Sequence, residues 1–189
     1  MSDDDLEGVL IGGREAREIV LVDHDPRWAV RYQIERERIL AALGVRVLRI
    51  DHIGSTSVPD LAAKPIIDID LSVADPEDED AYVPDLERLG YVLRVREPHH
   101  RMLRTPELGP LRAERVGVPP IHLHVCALGS EWERRHRIFR DWLRNHPDDR
   151  QLYEDVKRSL AGRTWADTND YADAKTEVVE QIMRRATAS

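Results

Sequence analysis

The sequence predicts an α+β fold: a mixed β-sheet with helices, followed by an all-helical tail. Three observations predict it. Pro65–Ala74 and Ile121–Leu128 are bounded, apolar-rich runs with the side-chain period of strands. From Ser130 onward the pattern is helical to the end. The helices and strands before that point are unevenly spaced, and neither a G-x-G-x-x-G nor a G-x-x-x-x-G-K-[S/T] loop occurs, which argues against a doubly wound nucleotide-binding sheet. With 189 residues the chain is long enough for one domain, which buries roughly 70% of its unfolded surface. Aromatic residues are only 5%, so aliphatic packing must dominate that core.

The elements follow in order. Residues 1–17 read as a loose polar arm. Residues 18–189 read as one domain, an α/β core (18–128) and a helical tail (129–189). Glu18–Val22 is a short strand-like run. Asp25-Pro26 places an N-cap before a proline at the first helical position, opening a helix that runs to Leu43 and stops at Gly44. Val45–Ile53 alternates as a strand. Gly54-Ser55-Thr56-Ser57 is a small-residue turn, and Val58–Lys64 reads as a short helical segment. Pro65–Ala74 is the strongest strand. Asp75–Asp80 is a solvated acidic turn without the ligand spacing of a calcium loop. A helix covers Asp80–Leu89 and ends at Gly90, and strands follow at Tyr91–Val95 and Arg101–Thr105. Beyond the Ile121–Leu128 strand, helices are expected at 130–145, 148–160 and 168–186.

Charge and cysteine content narrow the function. Lys and Arg total 28 against 36 Asp and Glu, a net charge of −8, so the overall basic footprint of non-specific nucleic-acid binding is absent. An anionic substrate must then be met by a few placed cations or by a metal. Cys126 is alone, which excludes an intrachain disulfide and a cysteine zinc framework. The N-terminus is acidic where a secretory leader is basic, and no apolar run approaches the roughly 20 residues of a membrane span. The expectation is a cytoplasmic protein whose partners include neither a membrane nor a nucleic-acid duplex.

The chemistry-bearing stretch runs from Gly54 to Leu71. On a strand Asp68 and Asp70 point to one face while Ile67, Ile69, Leu71 and Val73 point to the other. Two carboxylates so close repel one another, and water, cations or a metal must compensate. Hard oxygen ligands in this arrangement suit Mg²⁺ or Mn²⁺. Upstream, the Gly54-Ser55 turn offers N–H groups and a hydroxyl to a phosphate.

The residues His52-Ile53-Gly54-Ser55-Thr56-Ser57-Val58-Pro59, Ala63-Lys64-Pro65-Ile66-Ile67-Asp68-Ile69, His122-Leu123-His124-Val125, the run Phe139–Pro147 and the tail's Tyr171 and Lys175 resemble the GrpB family. Members of that family are similar to nucleotidyltransferases of the polymerase-β superfamily, and the likeness covers about residues 18–186. It implies a nucleotidyltransferase-like mixed sheet with helices packed on one face, a cleft on the other, and a C-terminal helical tail. It implies Gly54 and Ser55 as the phosphate turn, and Asp68 and Asp70 as ligands of Mg²⁺ or Mn²⁺. The reaction implied is in-line attack of an acceptor on the α-phosphate of an NTP, with pyrophosphate leaving.

One departure stands out. The superfamily's third carboxylate has no counterpart in Ile121-His122-Leu123-His124-Val125. His122 and His124 share a face, and either can complete the metal site or act as base, with His124 favoured. Lys64 and Lys175 are the candidate substrate contacts. In Tyr153-x-x-x-Lys157 and Tyr171-x-x-x-Lys175 an aromatic and a cation share a helical face, and core packing is the preferred reading of the first pair. His99-His100-Arg101 reads as a plain connection, in which Arg101 is the residue suited to gripping phosphate. His136 and His146 read as solvated, and Trp132, Phe139, Trp142, Leu143, Leu152, Tyr153 and Val156 as core. The expected function is metal-dependent transfer of NMP from an NTP to a small-molecule or protein acceptor. The alternative is a non-catalytic nucleotide- or phosphometabolite-binding protein with a degenerate site. The joining of some GrpB-type domains to dephospho-coenzyme A kinase implies a nucleotide or coenzyme A context.

Overall fold

The computed structural model of the protein describes residues 11, 19–105, 118–163, 165 and 168–188. The expected N-terminal arm lies outside them, apart from Ile11, whose N–H donates to the Arg94 carbonyl at 2.8 Å. The elements are α1 (Arg27–Leu43), β1 (Arg49–Ile53), β2 (Ile67–Val73), α2 (Val83–Arg88), β3 (Val92–Glu97), β4 (His100–Arg104), β5 (Ile121–Ala127), α3 (Glu131–Asn145), α4 (Pro147–Ala161), α5 (Thr168–Asp173) and α6 (Thr176–Ala188). The strands form one sheet in the order β1-β2-β5-β4-β3. The central pair β2/β5 is parallel and the other pairs are antiparallel. This is the mixed sheet and helical tail of the expected α+β fold.

The period of two in β2 and β5 creates two unlike faces. Ile67, Ile69 and Leu71 join Ile121, Leu123 and Val125 on the apolar face, which packs on Trp28, Tyr32, Ile39 and Leu43 of α1 and Leu86 of α2. Those α1 positions recur at helical spacing, so one stripe of the helix faces the sheet. Glu35 lies fully buried in the same stripe. Its carboxylate accepts from Arg38 at 2.9 Å and from the Tyr91 hydroxyl at 2.8 Å, and pairs with Arg31 at 3.0 Å. A buried charge needs such partners, because an unpaired one is strongly destabilising.

The other face carries the polar side chains and is crossed by the tail. Along α3, Glu133, His136 and Arg140 reach Ser72, Asp70 and Asp51 of the sheet. Behind α3, residues Leu143, Tyr153, Val178 and Ile182 form a second apolar cluster with Val58 and Leu61. The face expected to hold an open cleft is therefore partly covered by α3.

Several boundaries differ from the sequence expectation. Of Glu18–Val22, the described part shows a single bridge, Val22 to Ala63. Val45–Leu48 is not strand: Gly44–Arg46 is a 3₁₀ turn. There the Arg46 guanidinium donates to the carbonyls of Ala42 and Leu43, tying the segment to the end of α1. Val58–Lys64 is irregular rather than helical, since Glu154 and Lys157 of α4 take up the backbone groups of Ala62. The last expected helix is broken at Ala174-Lys175 into α5 and α6.

His52 provides a test of the packing between α1 and β1. Its ring stacks on Tyr32 at 4.8 Å, and Nε2 bonds the Thr56 hydroxyl at 3.0 Å. Burial, reinforced by Arg144 and Arg140, pushes its pKa down from 6.5 to about 3. The unfolded chain takes up this proton near pH 6.5 while the native state resists it, so stability falls as pH drops from about 6.5 toward 3. Urea unfolding at pH 7.5 and pH 5 measures this. The account predicts a smaller pH-dependent loss for His52→Gln than for wild type, and equal losses would contradict it.

Candidate active site

Strand register sets the site. Asp68 pairs with His122 and Asp70 with His124 across the parallel β2/β5 junction, while Asp51 pairs with Asp70 across β1/β2. The two carboxylates and two imidazoles expected on one face are therefore there, but their surroundings divide them into two neighbourhoods.

The first neighbourhood is a cavity of about 180 Å³ lined by Ser55, Lys64, Asp68, His122, Lys157 and Lys175, with Tyr171 in its wall. The turn from β1 creates its floor. Gly54 has φ +68°, a conformation favouring glycine, and a Cβ placed there would lie 2.4 Å from Asp68 Oδ2. Glycine is thus required both by the backbone and by the approach of the carboxylate. Arg144 donates to the Ser57 carbonyl at 2.7 Å and braces the turn from α3.

Lys157 is the deepest cation of the cavity. Its ammonium donates to Ser55 Oγ at 3.1 Å and to the Ala62 carbonyl, and lies 4.8 Å from the centre of the Tyr153 ring. Burial, and then the charge of Lys175, pull its pKa down to about 7. Lys175 sits 4.6 Å from the Tyr171 ring centre and Lys64 5.4 Å from it. Burial likewise lowers the pKa of Lys175, against the opposing pull of Asp68. Asp68 responds in the other direction. Its side chain is 28% exposed, but to a narrow cavity rather than to open solvent. Burial raises its pKa to about 6 despite Lys64, His136 and Lys175. His122 Nδ1 lies 3.6 Å from Asp68 Oδ1.

The second neighbourhood lies under α3. Asp70 is only 1% exposed and accepts from His136 Nδ1 at 2.9 Å. His100 Nδ1 donates to Glu97 at 2.8 Å, and its Nε2 shares a hydrogen bond with His124 Nδ1 at 3.1 Å. Burial first, then neighbouring imidazoles, hold the pKa of His124 well below its usual value. His124 Nε2 lies 4.0 Å from Asp68 Oδ1. Trp132 stacks on His100 at 3.9 Å and meets His136 edge-on, so it belongs to this polar cluster rather than to the apolar core.

The structure therefore brings together Gly54, Ser55, Lys64, Asp68, His122 and Lys175. It sets Asp70 and His124 beside them, toward α3. It adds Lys157 and Tyr171 to the cavity. His136, read as solvated, is instead the partner of Asp70. Its signal was the polar stripe Glu133, His136, Arg137 and Arg140, whose helical spacing matches a polar sheet face. Arg101, the candidate phosphate contact in a segment read as a plain loop, is tied to Glu77 and to Glu79 Oε1 at 2.6 Å and is only 6% exposed. The acidic turn Asp75–Asp80 thus anchors the β3–β4 hairpin through those two glutamates.

The metal implied by the resemblance was tested against these donors. Among the described residues no three His, Cys, Asp or Glu side chains cluster so as to hold an ion. The donors do fit a site that substrate completes. Mg²⁺ commonly takes one or two carboxylates and fills its shell with phosphate oxygens and water. Asp68 lines the cavity, His124 Nε2 lies 4.0 Å from its Oδ1, and the other ring nitrogen of His124 is held by a hydrogen bond to His100.

Comparison with known proteins agrees with the fold. The family model described as GrpB protein matches residues 18–185. A UPF0157 protein of Streptomyces coelicolor is 49% identical over 95% of this chain and 90% of its own length. One from Halalkalibacterium halodurans is 44% identical over the whole chain and 93% of its own. A protein of Mycolicibacterium paratuberculosis named dephospho-CoA kinase is 33% identical over 88% of this chain, which accounts for 45% of that longer protein. The crystal structure of conserved protein GrpB from Enterococcus faecalis superposes with a TM-score of 0.65 at 28% identity, covering 86% of this chain and 98% of that one. Among the described residues no helix is long and apolar enough to cross a membrane.

The Gly54–Asp68 contact yields a double-mutant prediction. Gly54→Ala forces a Cβ into Asp68 and a side chain into positive φ, and is expected to destabilise by about 1–3 kcal/mol. Asp68→Ala in the same chain removes the collision and is expected to restore part of that loss. Urea unfolding of the four proteins measures the coupling, and strictly additive losses would contradict a direct contact.

Proposed function

The chain belongs to the GrpB family, and on that premise we propose that it is a nucleotidyltransferase-like enzyme that seats the phosphates of an NTP in the lysine-lined cavity. The observation that carries this reading is the convergence of the Gly54-Ser55 turn, Asp68 and the three lysines on one cavity. The backbone and hydroxyl of the turn would hold phosphate oxygens, and Lys64, Lys157 and Lys175 would neutralise them. A Mg²⁺ or Mn²⁺ ion on Asp68, with His124 beside it and Asp70 behind, would add Lewis-acid polarisation of the phosphate. His122 lines the cavity beside Asp68, and it would accept the proton of an acceptor hydroxyl once a seated substrate exposes its ring. As the acceptor oxygen bonds to the α-phosphorus, the bond to the bridging oxygen breaks, and pyrophosphate leaves with its electron pair. The relative named dephospho-CoA kinase favours a nucleotide- or coenzyme A-related ligand.

A second reading keeps binding without turnover. Its support is the missing third carboxylate, together with the engagement of Asp70 by His136 beneath α3.

Incubation with α-labelled NTPs, Mg²⁺ or Mn²⁺ and a metabolite extract, monitored by pyrophosphate release, separates the two. The transferase reading predicts release that falls at least tenfold in Asp68→Asn, about 1.4 kcal/mol of transition-state stabilisation. Equal release by wild type and Asp68→Asn would contradict it. Nucleotide binding with no release would establish the binding protein instead.

A further inference from the structure

We infer that the cavity binds a diphosphate group without any divalent ion, held by the ammonium groups of Lys64, Lys157 and Lys175 and by the Tyr171 hydroxyl. The inference deepens the proposed function, resting on it only for the position of the phosphates. It states that the protein's own cations, rather than a metal, hold them.

Charge is the first argument. Lys157 is buried and Lys175 half-buried in the wall, and desolvation lowers the proton affinity of each. Asp68 is the carboxylate that lines the cavity with them. Glu154, one turn before Lys157, is turned to the Ala62 N–H and to Arg158. Ammonium groups held this close repel one another, and an anion of two or more charges among them removes that repulsion.

Hydrogen bonding is the second argument and is independent of charge. Tyr171 is 1% exposed, and its hydroxyl has no hydrogen-bond partner among the described residues. A buried hydroxyl left unpaired is destabilising. Tyr171 lines the cavity, with Lys64 and Lys175 over its ring; its hydroxyl is shielded there, and a shift of the ring toward a seated ligand would let a ligand oxygen accept its proton.

Size is the third. A cavity of about 180 Å³ is smaller than the roughly 300–1,000 Å³ of sites that engulf drug-sized ligands. It has room for a volume of about six waters. A short phosphate chain fits such a space, and the nucleoside must lie outside it.

The test is isothermal titration of the full-length protein with inorganic pyrophosphate in EDTA. Binding is expected, weakened at least tenfold by Lys157→Met and by Lys175→Met, and at least threefold by Tyr171→Phe. Circular dichroism checks that the variants fold. Should Lys157→Met fail that check, Lys175→Met and Tyr171→Phe carry the test. Pyrophosphate that binds only with Mg²⁺, or metal-free binding that none of the folded variants alters, would overturn the inference. Metal-free binding with no nucleotidyl transfer would uphold it while removing the transferase reading. Transfer accompanied by strictly Mg²⁺-dependent pyrophosphate binding would do the reverse.

Discussion

The site depends on one close approach, that of the Asp68 carboxylate to the backbone of Gly54. It joins the turn after β1 to the start of β2 with no side chain between them. Any other residue at position 54 would be strained at this positive φ and would have to displace the Asp68 side chain from the turn that carries Ser55. The rest of the site is built outward from this contact. Arg144 fixes the far end of the turn through the Ser57 carbonyl, and α4 delivers Lys157 and Glu154 to the segment that follows. The helical tail therefore belongs to the site as much as the sheet does.

That architecture explains how an acidic protein can receive an anion. Among the described residues the surplus of carboxylates does not reach the cavity. Glu77 and Glu79 are spent on Arg101 and Arg96, Asp70 on His136, and Asp51 on Arg140. What remains facing the cavity is Asp68 with three lysines, a local balance opposite to the net charge of −8. Burial then moves the proton affinities of Asp68 and Lys157 toward each other, to about 6 and about 7. Groups poised this near neutrality can exchange protons as a charged ligand arrives, which is a common property of functional sites.

The sheet was legible in the sequence because its signal is local. The alternation of Ile67–Val73 fixes which residues face the helices and which face the site, and the same holds for His122 and His124. Gly54, Ser55 and Asp68 were legible as a motif, and Lys64 and Lys175 as residues of the matched segments. Val45–Leu48 was misread because alternation alone does not reveal that Arg46 caps the preceding helix. The roles of Lys157 and His136 were hidden for a different reason. Each depends on a helix of the tail meeting a strand or turn about 66 to 102 residues earlier, a pairing set by tertiary packing. Tyr153-x-x-x-Lys157 reads equally well as core packing, and the ring contact with the ammonium satisfies both descriptions at once.

The central claim is that the phosphates of a ligand lie between the Gly54-Ser55 turn and the lysines of the tail. A crystal structure of the protein soaked with a non-hydrolysable NTP analogue tests it most directly. The account predicts phosphate oxygens within hydrogen-bond distance of Ser55, Lys157 and Lys175, with the nucleoside outside the cavity. Phosphates bound elsewhere on the protein, with that cavity still holding only solvent, would contradict it.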